Sequence, residues 1–75
     1  MNLPTRNEVL ANVNAARRGN ATPLRDMCER LSVTGIRYKG QTIRFGYADL
    51  RTLFVKAGVD GDDFEELMMA CDAAE

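Results

Sequence analysis

Four segments of this 75-residue chain repeat apolar residues at helical spacing, and one segment between them alternates with a period of two. In the first segment Val9, Val13 and Ala16 recur at i, i+4 and i+7, with Leu10 beside them. Thr5 stands at a capping position, and Glu8 three residues later has the spacing of a capping box. Arg17 and Arg18 suit the negative end of a helix dipole, and Gly19-Asn20 suits a left-handed stop. The pattern predicts a helix over about residues 6–18. In the second segment Leu24, Met27, Cys28 and Leu31 fall at i, i+3, i+4 and i+7. Thr22 is the expected cap and Pro23 the first helical residue, where a missing N–H costs nothing. This helix is expected to end near Ser32, with Asp26–Arg30 and Arg25–Glu29 spaced for weak ion pairs.

The run from Gly35 to Phe45 reads as a β-hairpin. With Lys39-Gly40 as a two-residue loop, Ile36 faces Ile43, Arg37 faces Thr42 and Tyr38 faces Gln41. Ile36, Tyr38, Ile43 and Phe45 then share one side, and Arg37 and Arg44 the other. A two-stranded sheet is marginal in water, so the apolar side is expected to rest on helices or on another chain. A third helix follows from about Tyr47 to Ala57, with Leu50, Leu53, Phe54 and Ala57 as its stripe and Gly58 as its stop. The fourth begins at Asp60 as cap, with Asp63 at the third helical position and Val59 and Phe64 placed for a hydrophobic staple. Phe64, Leu67, Met68 and Cys71 form its stripe. The expected architecture is a small single α+β domain over residues 1–75: two helices, a hairpin, two helices.

Hydrophobic residues make up 45% of the chain, too many for a disordered segment. No apolar run approaches the roughly 20 residues of a membrane span. The first six residues lack the basic-then-apolar pattern of a secretion leader, so a cytoplasmic location is expected. Cys28 and Cys71 lie on apolar stripes and read as small buried hydrophobes in a reducing compartment. A disulfide between them requires their helices to pack together.

There is no histidine, hence neither the commonest general base nor the commonest zinc ligand. With no nucleophile–base pair and no glycine-rich phosphate loop, the expectation is a chain without enzymatic activity, cofactor or metal. Asp60, Asp62 and Glu66 do not make a calcium loop, because the glycine falls at Gly61 and no glutamate closes the run.

Charge changes the picture more than composition does. Residues 1–56 hold all ten basic groups and four acids, a formal +6. Residues 57–75 hold seven acids and no base, a formal −7. The net charge of −1 therefore conceals a dipolar molecule, and a partner responds to the local field. Asp60, Asp62, Asp63, Glu65, Glu66, Asp72 and Glu75 form the acidic end. The first five are the candidate partner-binding residues. Some of them serve the cap and dipole of their own helix. Arg37, Lys39 and Arg44 form a basic hairpin, the candidate contact for nucleic acid or an acidic partner. Three cations are few beside the roughly 6–10 phosphate contacts of a strong DNA binder.

Three resemblances attach to these residues. Leu53, Ala57-Gly58-Val59, Phe64 and Leu67 have a spacing that resembles a repressor-type helix-turn-helix, over about twenty residues. Its reading helix would carry Asp62, Asp63, Glu65 and Glu66 and no base, which repels phosphate. The basic hairpin ending in Phe45, followed by Asp49, Leu50 and Arg51 on a helix, resembles small phage head–tail joining proteins. That likeness implies an assembly component forming rings or extending a sheet. The acidic helix resembles those of small phage-encoded inhibitors, anti-CRISPR proteins among them, whose carboxylates imitate phosphate spacing. The function expected from these features is binding of another protein or protein–nucleic-acid complex by the acidic helix. Phage assembly and direct nucleic-acid binding are the alternatives, and oligomerisation is compatible with each.

Overall fold

The computed structural model describes residues 3–73. It contains α1 (Arg6–Arg17), α2 (Thr22–Glu29), a π-helical segment (Arg30–Thr34), β1 (Ile36–Tyr38), β2 (Gln41–Ile43), α3 (Tyr47–Lys56) and α4 (Gly61–Ala73). The order helix, helix, hairpin, helix, helix is the α+β arrangement the pattern predicts.

The helix ends obey local chemistry. Thr5 Oγ1 accepts the Glu8 N–H at 3.1 Å and caps α1. At the other end Asn20 N–H donates to the Ala15 carbonyl and Gly19 N–H to Ala16, the two bonds of a Schellman stop. The same pair recurs after α3, from Val59 N–H to Phe54 and from Gly58 N–H to Val55. Both stops turn on a glycine in the left-handed region, where a Cβ would crowd the backbone. Asp49 Oδ2 accepts the Gly46 N–H at 2.9 Å and fixes the entry to α3. The Asp60 carbonyl accepts the Phe64 N–H at 2.9 Å, which puts Asp60 at the cap position of α4. Val59 and Phe64, the expected staple, are both buried.

The second helix departs from expectation at both ends. Its cap position falls on Ala21, with no side-chain bond, so Thr22 is the first helical residue. Its C-terminus does not stop at Ser32 but widens into a π turn, closed by the Gly35 N–H on the Arg30 carbonyl at 2.7 Å. Ser32 Oγ donates to the Cys28 carbonyl at 2.8 Å, a bond that competes with the backbone ladder there. The hairpin satisfies the carbonyls left over. Phe45 N–H donates to Leu31 at 2.8 Å and Arg44 Nε to Val33 at 2.9 Å. The base of the hairpin is thus bonded to the end of the helix before it.

β1 and β2 pair antiparallel in the predicted register, Ile36 with Ile43, Arg37 with Thr42 and Tyr38 with Gln41. Lys39 and Gly40 both take positive φ, 50° and 79°, as a type I′ turn requires. Only Ile36 of the apolar side is buried. Ile43 and Tyr38 remain 39% and 57% exposed.

The core is helical. Phe54, Phe64, Leu24, Met27, Leu31, Val9 and Val13 are fully buried, and Phe54 meets Phe64 edge to face at 4.9 Å. α4 packs on α1, α2 and α3, so the most acidic helix is also part of the core. On α3 the stripe is rotated slightly from expectation. Leu50, Phe54 and Ala57 face inward, whereas Leu53 lies only partly buried at the rim. No helix among the described residues is long and apolar enough to cross a membrane.

A candidate acidic interaction surface

α4 has two faces with different jobs. Phe64, Leu67 and Cys71 point into the core, and Gly61 is covered as well. Asp62, Glu65, Glu66 and Met69 fall at i, i+3, i+4 and i+7 on the outside, all exposed. Met69 is 64% exposed, so an apolar side chain shares the acidic stripe. Counting only charge misses it, yet its spacing from Glu65 and Glu66 places it there.

The chain's ten bases leave most of this acid unpaired. Among the described residues the only base paired to α4 is Arg17, whose Nη2 lies 3.2 Å from Asp63 Oδ2. Both partners are about half exposed, so the pair adds at most about 1 kcal/mol. It bridges the end of α1 and the start of α4. Asp60, Asp62, Glu65, Glu66 and Asp72 have no such partner. Arg51 reaches the start of α4, where its Cζ would lie 3.1 Å from a Cβ built on Gly61. Glu75 lies outside the described residues.

The basic set is less available than its count suggests. Arg37 and Lys39 are exposed, and the Lys39 ammonium sits 5.4 Å from the Tyr38 ring. Arg44 is folded back against the hairpin base, its Nε on the Val33 carbonyl, and its Cγ and the Thr42 methyl cover Gly35. Arg6 is engaged likewise, with Nε 3.2 Å from the Ala57 carbonyl at the C-terminal end of α3. The ion pairs expected along α2 are absent, and Arg25 instead approaches its neighbour Asp26 at 4.0 Å.

Cys28 and Cys71 do come together. α2 packs on α4, and both thiols line one cleft with Arg25, Met68 and Asp72. Both are free. Burial, and then the neighbouring Cys71, push the Cys28 thiol up to about 12. Burial and Asp72 raise Cys71, against the lowering effect of Arg25. Protonated thiols of this kind are poor nucleophiles. No group of three or more metal-ligating side chains occurs among the described residues. A second cleft, between the hairpin and α3, is lined by Leu3, Ile43, Phe45, Asp49, Thr52, Leu53 and Lys56.

No family model, curated protein or solved structure matches this chain.

Proposed function

We propose that the chain is a non-catalytic binding module whose α4 engages a basic surface on a protein or protein–nucleic-acid complex. The observation that carries this reading is the exposure of Asp62, Glu65 and Glu66 on one stripe, unpaired in a chain that holds ten bases. Unpaired carboxylates on a rigid helix cost little to bring to a cationic partner, because the helix is already ordered by its inner face. Met69 adds one exposed apolar side chain to the same stripe. A small phage-encoded inhibitor that occupies a nucleic-acid channel, of the anti-CRISPR type, is the class of protein this surface fits best.

The test compares the wild type with Glu65→Lys/Glu66→Lys in capture from the native host, followed by titration of the captured partner. The double variant is expected to keep its thermal midpoint and lose at least about tenfold in affinity, with wild-type binding weakening as salt rises. Undiminished affinity in the double variant refutes the proposal. Arg37→Ala/Lys39→Ala serves as the counterpart: loss of binding there alone transfers the function to the hairpin and to nucleic acid.

A further inference from the structure

The cleft between the hairpin and α3 supports an inference beyond the acidic helix. Asp49, Thr52, Leu53 and Lys56 stand at i, i+3, i+4 and i+7 on one face of α3, with Asp49, Thr52 and Lys56 exposed and Leu53 half-buried. Ile43 and Phe45 of the hairpin and Leu3 form the remaining wall of an open groove of about 370 Å³. Leu3 and Ile43 are 51% and 39% exposed, while Phe45 and Leu53 are half-buried. Thr52 Oγ1 donates to the Ala48 carbonyl at 3.0 Å, so its hydroxyl is satisfied within the helix. The centre of this face is therefore apolar in effect.

Its charges have a particular order. One acid lies at the N-terminal end of the face and one base at the C-terminal end, about 10 Å apart along the helix. Neither has an ion-pair partner among the described residues. Asp49 uses Oδ2 for the Gly46 N–H, which leaves Oδ1 free. A two-fold axis passing between Thr52 and Leu53 reverses the helix and exchanges positions 49 and 56. Asp49 of each copy then meets Lys56 of the other, and Leu53 and Ile43 are covered. An isologous interface demands this kind of self-complementary patch. The patch carries no net charge, so a strongly basic or acidic partner gains nothing there.

We infer that a second copy of this chain docks at this groove, through antiparallel α3 helices with reciprocal Asp49–Lys56 pairs. The dimer leaves both α4 helices exposed and presents the acidic stripe twice. Sedimentation equilibrium from micromolar to millimolar protein tests the inference. The wild type is expected to show a reversible monomer–dimer equilibrium. Lys56→Glu sets Asp49 against a second carboxylate and weakens it by about tenfold or more. Asp49→Lys does the same with two cations, and an equal mixture of the two variants regains a heterodimer. Circular dichroism verifies that Asp49→Lys, which also loses the Gly46 bond, remains folded. Ile43→Glu, at an exposed position, is a second route to a monomer should that variant unfold. Glu65→Lys/Glu66→Lys is expected to dimerise normally, which separates this interface from the acidic surface. A wild type that stays monomeric at millimolar concentration overturns the inference, even if another protein is found in the groove. So does a dimer indifferent to Lys56→Glu and Ile43→Glu, or two folded variants that fail to complement.

Discussion

α4 and the hairpin carry charges of opposite sign, and they hold them differently. α4 is packed on three other helices, and its acids lie on the face left outside. Its scaffold is rigid and its charges are free. The hairpin is the reverse. It has two short strands, one buried apolar residue on its inner side, and a base held by hydrogen bonds to the end of the π turn. One of its three cations, Arg44, forms one of those bonds. A charge contributes to binding only where the fold does not already use it. By that measure five of the six described acids at the C-terminal end stay free, against two of the three hairpin cations.

Removing the support beneath α4 has the largest expected effect. Phe64 is fully buried between Phe54 and Tyr47, and Phe64→Ala should cost about 3–5 kcal/mol through the cavity it leaves. In a domain of this size that is a large share of the total stability. Thermal unfolding measures it, and an unchanged midpoint would mean that α4 does not rest on this core.

Alkaline pH loosens the same platform from the α2 side. The buried Cys28 thiol keeps its proton up to about 12, whereas an exposed thiol loses it near 9.0. Between those values the folded state binds more protons than the unfolded one, so stability falls as pH rises. The contribution is whole below pH 9.0 and is lost as pH climbs toward 12, by at most about 4 kcal/mol. Denaturant midpoints along this range should fall less steeply in Cys28→Ala than in the wild type. Equal slopes would show that the thiol is not protected.

The hairpin is expected to respond to smaller changes at its base. Gly35 has φ of 79°, and a Cβ there would meet the Ile43 carbonyl at 2.7 Å. Gly35→Ala should cost more than about 1 kcal/mol and raise hydrogen exchange in β1 and β2 ahead of the helices. Exchange that rises uniformly would show the hairpin and helices unfolding as one unit. Smallest is the contrast between two arginines on the same strands. Arg44→Ala removes the bond to Val33 and should cost about 1 kcal/mol, while Arg37→Ala should stay within about 0.5 kcal/mol. Equal costs would place both side chains in solvent and restore the full basic count.

Much of the fold is legible in short-range spacing. The caps at Thr5 and Asp60, the stops at Gly19 and Gly58 and the staple at Val59 and Phe64 each depend on residues within a turn or two. The hairpin register follows from alternation plus one two-residue loop, because a slip of one position would expose Ile36 and bury Arg37. Errors arise where two local signals compete. Thr22-Pro23 offered a cap and a first-turn proline, and the helix began one residue earlier than that pairing implies. Leu53 and Phe54 both fit the third stripe, and the larger ring took the interior. Ser32, Val33 and Thr34 carry no signal for a π turn, which forms because Gly35 and the hairpin base supply partners for the freed carbonyls.

Five elements, their order, the strand register and the segregation of acid to the last helix are written in the chain. These follow from periodicity and capping over a few residues. Tertiary structure alone decided which charges remain free. Arg17 and Asp63 are 46 positions apart, and only the packing of α1 against α4 makes them neighbours. Arg44 was an outward cation by alternation, until the end of α2 placed an unsatisfied carbonyl within its reach. Cys28 and Cys71 share a cleft for the same reason: contact between α2 and α4 is a property of the whole core, and no local spacing encodes it.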